Sequence, residues 1–128
     1  MSGEVVFATS FDEKNPPSNI FSDSKAMFWA STGVYPQEII VVMNQAKPLS
    51  EALISGYSIK NISIESCEND SAVKFITQSE KKEVQFKENS IQEISLKFNN
   101  TSTVNRIIKI IISDGYGPFC SINKVNFK

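Results

Sequence analysis

Short apolar runs alternate with polar, turn-forming segments along this chain, and a helical period is nearly absent. Strands are predicted where branched apolar residues dominate or where they alternate with polar residues. The predicted strands cover residues 5–7, 38–43, 53–65, 72–77, 91–98, 104–112 and 120–127. Many short strands joined by turns are typical of an antiparallel sandwich or jelly roll. The sequence therefore predicts an all-β fold.

For three of these runs, the residue pattern also predicts burial, position in the sheet or an irregular register. Residues 38–43 are almost continuously apolar, which predicts a strand that is buried on both faces. Residues 104–112 are the most β-branched run, which predicts a central strand. The alternation slips between Ile59 and Ile62, which fits either a bulge or a strand boundary. In the run 72–77, Val73, Phe75 and Ile76 are expected to face inward.

Polar segments separate the predicted strands. Turns are predicted at 44–48, 66–71, 99–103 and 114–118, and a charged loop tip is predicted at 78–82. In the turn at 114–118, glycine is expected to supply positive φ.

The longest connection covers residues 9–33 and holds the only tryptophan, Trp29. Pro16 and Pro17 stiffen it, and one helical turn is expected within 18–26, capped by Ser18 or Asn19. A large aromatic residue beside a strand entry is more often core than ligand platform, so Trp29 is predicted to be buried. Phe28 and Trp29 are expected to pin this connection to the core.

Length and charge narrow the functional classes. The chain has 128 residues, which fits a single jelly-roll domain over 1–128. Its formal net charge is -1, which argues against broad contact with nucleic acid or an anionic membrane. The start lacks the features of a secretory signal, and no apolar run approaches the roughly 20 residues that span a bilayer. Cys67 and Cys120 are therefore expected to be reduced thiols, with Cys67 exposed or half-buried.

Catalytic constellations are missing from the sequence. Without histidine, the usual Ser-His and Cys-His nucleophile pairs are unavailable. No glycine-rich phosphate loop is present, and the spacing of the carboxylates indicates no acid–base pair. We therefore expect a protein that is not an enzyme and has no catalytic residues.

The segment that begins at Ala8, ATSFDEKNPPSNI followed by FWASTGVYPQEIIV, resembles a known family. It is similar to the small jelly-roll subunit of intraflagellar transport complex B, also called small heat-shock-like. The resemblance runs over nearly the whole chain and is densest from residue 8 to residue 40. The motifs that carry it are Ala8-Thr9-Ser10, Asp12-Glu13-Lys14, Pro16-Pro17, Asn19-Ile20, Phe28-Trp29, Thr32-Gly33 and Pro36-Gln37-Glu38.

The resemblance implies a galactose-binding-domain-like jelly roll that acts as a non-enzymatic adaptor. It implies a heterodimer with a Rab-like small GTPase subunit, attachment to larger complex B subunits, and location in the cilium or flagellum and the cytoplasm. The net charge and the short apolar runs predict neither nucleic-acid binding nor membrane insertion. The alternative is a carbohydrate- or lipid-headgroup-binding module of the same fold.

The resemblance also raises the question of calcium, which galactose-binding-like domains often hold in the loop before the tryptophan. Here Asn19 matches the pattern, but Ser22 replaces aspartate, Asp23 replaces glycine and Met27 replaces threonine. Lys128 falls near the late acidic position. Calcium takes six or more oxygen ligands, so this degenerate loop is expected to hold no metal, although Asp23 leaves calcium possible after a one-residue slip. No cofactor is expected.

Aromatic residues in turns are the candidate contact residues. Tyr35, Tyr116 and Phe119 are predicted to bind a partner, because aromatic side chains are enriched at interfaces. The structural alternative is that they close the ends of the sandwich.

Overall fold

The computed structural model describes residues 3–24, 26–71 and 74–128. They form nine strands and one short 3-10 helix, at Pro17–Phe21. The strands are β1 (Gly3–Ala8), β2 (Trp29–Ala30), β3 (Gln37–Pro48), β4 (Glu51–Tyr57), β5 (Ile59–Cys67), β6 (Ile76–Glu83), β7 (Gln92–Lys97), β8 (Val104–Gly115) and β9 (Ser121–Phe127).

The strands build two antiparallel sheets that pack face to face. One sheet has five strands in the order β1-β3-β8-β5-β6, and the other has four in the order β2-β9-β4-β7. The consecutive strands β4 and β5 lie in different sheets, and the chain turns between them at Ser58, where φ is 63°. This is the predicted all-β sandwich, and β8 is the central strand of its sheet, as predicted.

The core fills the space between the sheets. Trp29 is fully buried, as predicted, and its indole Nε1 donates to the carbonyl of Ser10 at 3.1 Å. That bond ties the long connection to the core, and β2 continues from it. Other buried residues of the core are Ile39, Val41, Ile54, Ile62, Ile64, Leu96, Ile108, Ile110, Ile112, Ile122 and Val125.

The prediction of two-sided burial in β3 is wrong for the isolated chain. Ile39, Val41 and Met43 are at most 1% exposed, whereas Ile40 and Val42 on the opposite side are half-buried. The reason is that only one face of the five-stranded sheet packs on the four-stranded sheet.

Two predicted loops are strand. Residues 44–48 continue β3, with an irregular register between Val42 and Lys47. Residues 78–82 belong to β6, where Gln78 and Ser79 are buried. Polar composition misled both predictions, because strand pairing satisfies the backbone whatever the side chains are.

The predicted inward positions before and within β6 also differ from the structure. Ile76 is 38% exposed rather than inward, and Phe75 is half-buried beside β6. Ala72 and Val73 lie outside the described residues. The slip at Ile59 and Ile62 is a register irregularity within β5, so a bulge accounts for it.

The predicted cap and the predicted glycine turn are also wrong. The 3-10 helix begins after Pro16, and no side chain caps it, because proline fixes the entry by itself. No glycine of the described chain has positive φ, and β8 extends through Gly115. A Cβ on Gly115 would lie 2.0 Å from the Tyr35 hydroxyl, so close packing requires this glycine.

Candidate functional site

The outer face of the five-stranded sheet is rich in aliphatic residues. Directly opposite residues of an antiparallel ladder project to the same face. The register therefore gives three outward rows, which are Phe7–Ile40–Lys109–Glu65, Glu4–Val42–Ile107–Cys67 and Glu38–Ile111–Ser63. We call the large hydrophobic members of these rows, Phe7, Ile40, Val42, Ile107 and Ile111, the apolar outer face.

The chain itself covers only part of the apolar outer face. Phe7 is 50% exposed and Ile111 is half-buried, but Ile107 is only 5% exposed. The segment after β5 folds back toward β8, where Asp70 accepts a hydrogen bond from the Arg106 guanidinium at 2.7 Å. The side toward β1 stays open to solvent.

Acidic side chains surround this face. Lys109 is the one basic residue in the three rows, and its ammonium lies 3.9 Å from the Glu65 carboxylate and 4.2 Å from the centre of the Phe75 ring. Glu4 is exposed and Glu38 is half-buried. Since Lys109 balances the charge of Glu65, the net acidic charge of the three rows comes from Glu4 and Glu38.

The outer face of the four-stranded sheet is polar. Its outward rows are Glu51–Lys97, Asn126–Leu53–Ser95 and Lys124–Ser55–Glu93, and we call these residues the polar outer face. The Ser55 hydroxyl donates to Glu93 at 2.9 Å, and Glu51 accepts from Lys97 at 2.8 Å and from the Ser95 hydroxyl. The hydrogen bond from Lys97, followed by that from Ser95, lowers the pKa of Glu51. Polar groups here satisfy one another.

An aromatic cluster lies at one end of the sandwich. The ring of Phe86 packs 5.3 Å from that of Tyr116 and 6.3 Å from that of Tyr57, measured between centroids. Tyr116 is 39% exposed and donates its hydroxyl to the carbonyl of Val84 at 2.6 Å. Phe119, on the same loop, is 61% exposed. We call Tyr57, Phe86, Tyr116 and Phe119 the aromatic end.

The third predicted contact residue, Tyr35, lies against the loop of Tyr116 and Phe119. It packs on the core, and its hydroxyl donates to the carbonyl of Gly117 at 3.2 Å. Burial, with Cys120 second, raises the pKa of Tyr35 above its usual range. The fold thus brings the three predicted residues to one region, and contact with a partner stays a prediction for them.

The loop compared with a calcium site is held by its own hydrogen bonds. Asn19 is buried and donates its amide to the carbonyl of Phe28 at 2.9 Å. The Ser22 hydroxyl accepts from the backbone N–H of Ser24 at 3.1 Å. Asp23, the one carboxylate of the loop, is exposed.

The other two positions of the comparison offer no carboxylate. Met27 is 40% exposed, and the Lys128 carbonyl accepts from the backbone N–H of Ser50 at 2.7 Å. Within 3–24, 26–71 and 74–128, no three His, Cys, Asp or Glu side chains converge. A calcium ion takes six or more oxygen ligands, so this donor set does not fit it.

Both cysteines are free and buried. The expectation of an exposed or half-buried Cys67 is wrong, because the segment that includes Asn69 folds over it and its side chain is 4% exposed. Burial raises the pKa of the Cys120 thiol, which disfavours its reactive thiolate form. In the part of the chain that the structure describes, no helix is long and apolar enough to span a bilayer.

Sequence reasoning missed the apolar outer face as a site. Its signal was present in residues 38–43, where the absence of alternation indicated a second apolar side. That side was assigned to the interior of the chain rather than to a surface.

Comparison with known proteins identifies close matches over almost the whole chain. The human intraflagellar transport protein 25 homolog is 29% identical over 123 residues, covering 96% of this chain and 83% of that protein. The Chlamydomonas reinhardtii intraflagellar transport protein 25 is 25% identical over 124 residues, covering 97% of this chain and 64% of that protein. No protein-family model matches the chain.

Solved structures share the fold. A Clostridium perfringens CBM32 module, solved with GalNAc-β-1,3-galactose, has a TM-score of 0.80 at 16% identity and covers 98% of this chain and 94% of its own. A Paenibacillus chitosan-binding module has a TM-score of 0.78 at 17% identity and covers 100% and 96%. The matches confirm the galactose-binding-like jelly roll and the resemblance to the small jelly-roll subunit of intraflagellar transport complex B.

Proposed function

We propose that this chain is a non-enzymatic adaptor subunit of intraflagellar transport complex B, present in the cilium or flagellum and the cytoplasm. The observation that carries the proposal is its similarity to human intraflagellar transport protein 25 homolog along 96% of its length. A sandwich with a partly uncovered apolar face supports a binding role, since function resides in sites carried by folds.

The direct partner in this proposal is a Rab-like small GTPase subunit of the same complex. The pair then attaches to the larger complex B subunits and supports ciliary cargo transport. Tyr35, Tyr116 and Phe119 are proposed contact residues for an assembly partner at the aromatic end, where Phe119 is 61% exposed. Exposed aromatic side chains are common at such contacts.

The adaptor is proposed to work without a cofactor. The loop before Trp29 is supported by the hydrogen bond that the Asn19 side-chain amide donates to the Phe28 carbonyl, and by the buried Trp29 itself. The proposal implies that chelators leave its binding unchanged.

The test is co-purification of the chain with the GTPase subunit, followed by size-exclusion chromatography with mass detection. A stoichiometric complex that survives dilution is expected. Two separate monomer peaks, with the GTPase folded and nucleotide-loaded, would refute the heterodimer.

A carbohydrate-binding module is the second candidate. It is favoured by the exposed aromatic end and by the sugar complex of the CBM32 module with the same fold. Glycan-array binding that is lost in Tyr116→Ala, together with no GTPase complex, would support this function instead.

A further inference from the structure

We propose that a groove beside the polar outer face binds a free amino acid with an apolar side chain, held as a zwitterion. The groove is lined by the loop after the 3-10 helix and by residues in or next to β4, β7 and β9, and its volume is about 300 Å³. Small-molecule sites have volumes of roughly 300–1,000 Å³, so the groove fits a ligand at the small end of this class. The inference goes beyond the adaptor function and does not depend on it.

Opposite charges line this groove without bonding to each other. Asp23 and Lys124 are both exposed, and neither forms an ion pair within residues 3–24, 26–71 and 74–128. The second carboxylate of the groove, Glu93, accepts a hydrogen bond from the Ser55 hydroxyl at 2.9 Å. Because the two signs stay apart, the groove has room for a group that carries both.

The carboxylate of the ligand is assigned to Lys124 and to two serine hydroxyls. The Ser22 oxygen accepts from the backbone N–H of Ser24 at 3.1 Å, and the Ser24 oxygen accepts from the backbone N–H of Ala26 at 3.3 Å. These bonds hold each oxygen in place and leave the hydroxyl proton available as a donor. Two hydroxyl donors and an ammonium group suit a carboxylate, since hydrogen bonds that involve charged groups are the stronger ones.

The ammonium group of the ligand is assigned to the acceptors of the groove. Asp23 and Glu93 supply carboxylate oxygens. Asn123 lines the same groove, and its buried Oδ1 has no hydrogen-bond partner in the described part of the chain. Buried acceptors are rarely left unpaired, so this oxygen is a further position for an N–H of the ligand.

The remaining wall selects the side chain of the ligand. Ile91 is 41% exposed and is the apolar member of the groove. Contact with Ile91 removes apolar surface from water, which favours leucine over glycine.

Ligands of other charge fit this groove less well. A simple cation would meet Lys124, and a simple anion would meet Asp23 and Glu93. A neutral sugar would leave both signs of charge without a counter-charge. A zwitterion pairs with both.

The test is methyl NMR of the isoleucine-labelled chain during titration with leucine. The Ile91 methyl signal reports the groove, and that of Ile40, on the outer face of the other sheet, is the internal control. We expect Ile91 alone of the two to shift, with a Kd on the order of 1 mM. N-acetyl-leucine lacks the ammonium group and leucinamide lacks the carboxylate, so each is expected to bind about fivefold more weakly.

Matched variants locate the charges that bind. Asp23→Asn and Lys124→Gln are each expected to weaken leucine binding by about fivefold. Glu80→Gln and Lys81→Gln are the controls, because they make the same changes at exposed positions of β6 outside the groove, and they should leave the Kd unchanged. Thermal melting checks that all four variants are folded, and the analogue series on the wild-type chain tests the proposal without any variant.

Three results would overturn the proposal. The first is an Ile91 signal that leucine leaves in place at concentrations far above the expected Kd. The second is binding of N-acetyl-leucine or leucinamide as tight as that of leucine, which would remove the need for a zwitterion. The third is a shift of Ile91 with galactose but not with leucine, which would make the groove a sugar site.

Discussion

The two outer faces of the sandwich have the same strand geometry and opposite chemistry. On the four-stranded sheet, Glu51 accepts hydrogen bonds from Ser95 and Lys97, and the Ser55 hydroxyl donates to Glu93. On the five-stranded sheet, the outward positions hold Phe7 and four branched aliphatic residues among charged neighbours such as Glu4, Glu38 and Lys109. The polar groups of the first face form hydrogen bonds with one another or with water. The second face leaves apolar side chains exposed, and water solvates these poorly.

This difference separates the residues that build the core from those that lie at the surface. The inner rows of both sheets build the core. Phe7, Ile40, Val42 and Ile111 of the apolar outer face remain partly in water, so we expect them to add less to the stability of the free chain than the core residues do.

The largest expected effect is on stability, when an inward and an outward residue of β8 are each replaced by alanine. Ile110 is fully buried and Ile111 is half-buried on the outer face. We expect Ile110→Ala to lower the free energy of unfolding by about 2–5 kcal/mol, and Ile111→Ala by about 1 kcal/mol or less. Urea unfolding of the free chain measures both. Equal losses would mean that the outer face is part of the folding core.

Truncation of the exposed aromatic residue on the apolar outer face is expected to have the next largest effect. Phe7→Ala should weaken GTPase binding by about 10-fold, because the lost side chain no longer buries apolar surface. Ile91→Ala is the control, since Ile91 is 41% exposed and lines a groove beside the polar outer face. Equal losses for the two variants would remove the distinction between the faces.

A smaller effect concerns the polar outer face. The pKa of Glu51 is lowered from its model-peptide value of 4.5, chiefly by the hydrogen bond from Lys97. Its contribution to stability is therefore present above pH 4.5 and is lost as pH falls through the folded pKa. Carboxyl NMR titration should show that Lys97→Ala raises the pKa of Glu51. An unchanged pKa would mean that the pair does not persist in solution.

Calcium is expected to have the smallest effect. Asp23 and Ser24 line a groove with Ser55 and Lys124, so an ion bound there would turn the polar outer face into a functional site. Millimolar calcium should leave the melting temperature unchanged, because the donor set is too poor. A rise that Asp23→Asn abolishes would contradict this view of the loop.

The positions of most strands and part of the core were predictable because alternation and branched residues report burial directly. Residues 104–112 gave the central strand, and Trp29 was correctly placed in the core. Residues 78–82 were not predictable as strand, since a charged run carries no signal of the backbone pairing that β5 supplies. The register irregularity between Val42 and Lys47 was not predictable either, because the polar residues there carry no signal of their pairing with β8.

The site was less predictable than the fold. The aromatic contacts were chosen by residue type, and the sequence could not reveal that the Tyr35 hydroxyl reaches Gly117, far along the chain. The continuous apolar run at 38–43 indicated two apolar sides of the strand, but it did not show that one of them lies at the surface. Whether an apolar row is inside or outside depends on the packing of the second sheet, which no local pattern contains.

The most direct measurement is methyl NMR of the isoleucine-labelled chain during titration with the GTPase. Ile40, Ile107 and Ile111 report the apolar outer face, and Ile91 reports the groove beside the polar outer face. Our account predicts that the first three methyl signals shift or broaden strongly while that of Ile91 stays in place. A complex in which Ile40 and Ile111 are unchanged and Ile91 moves would contradict it.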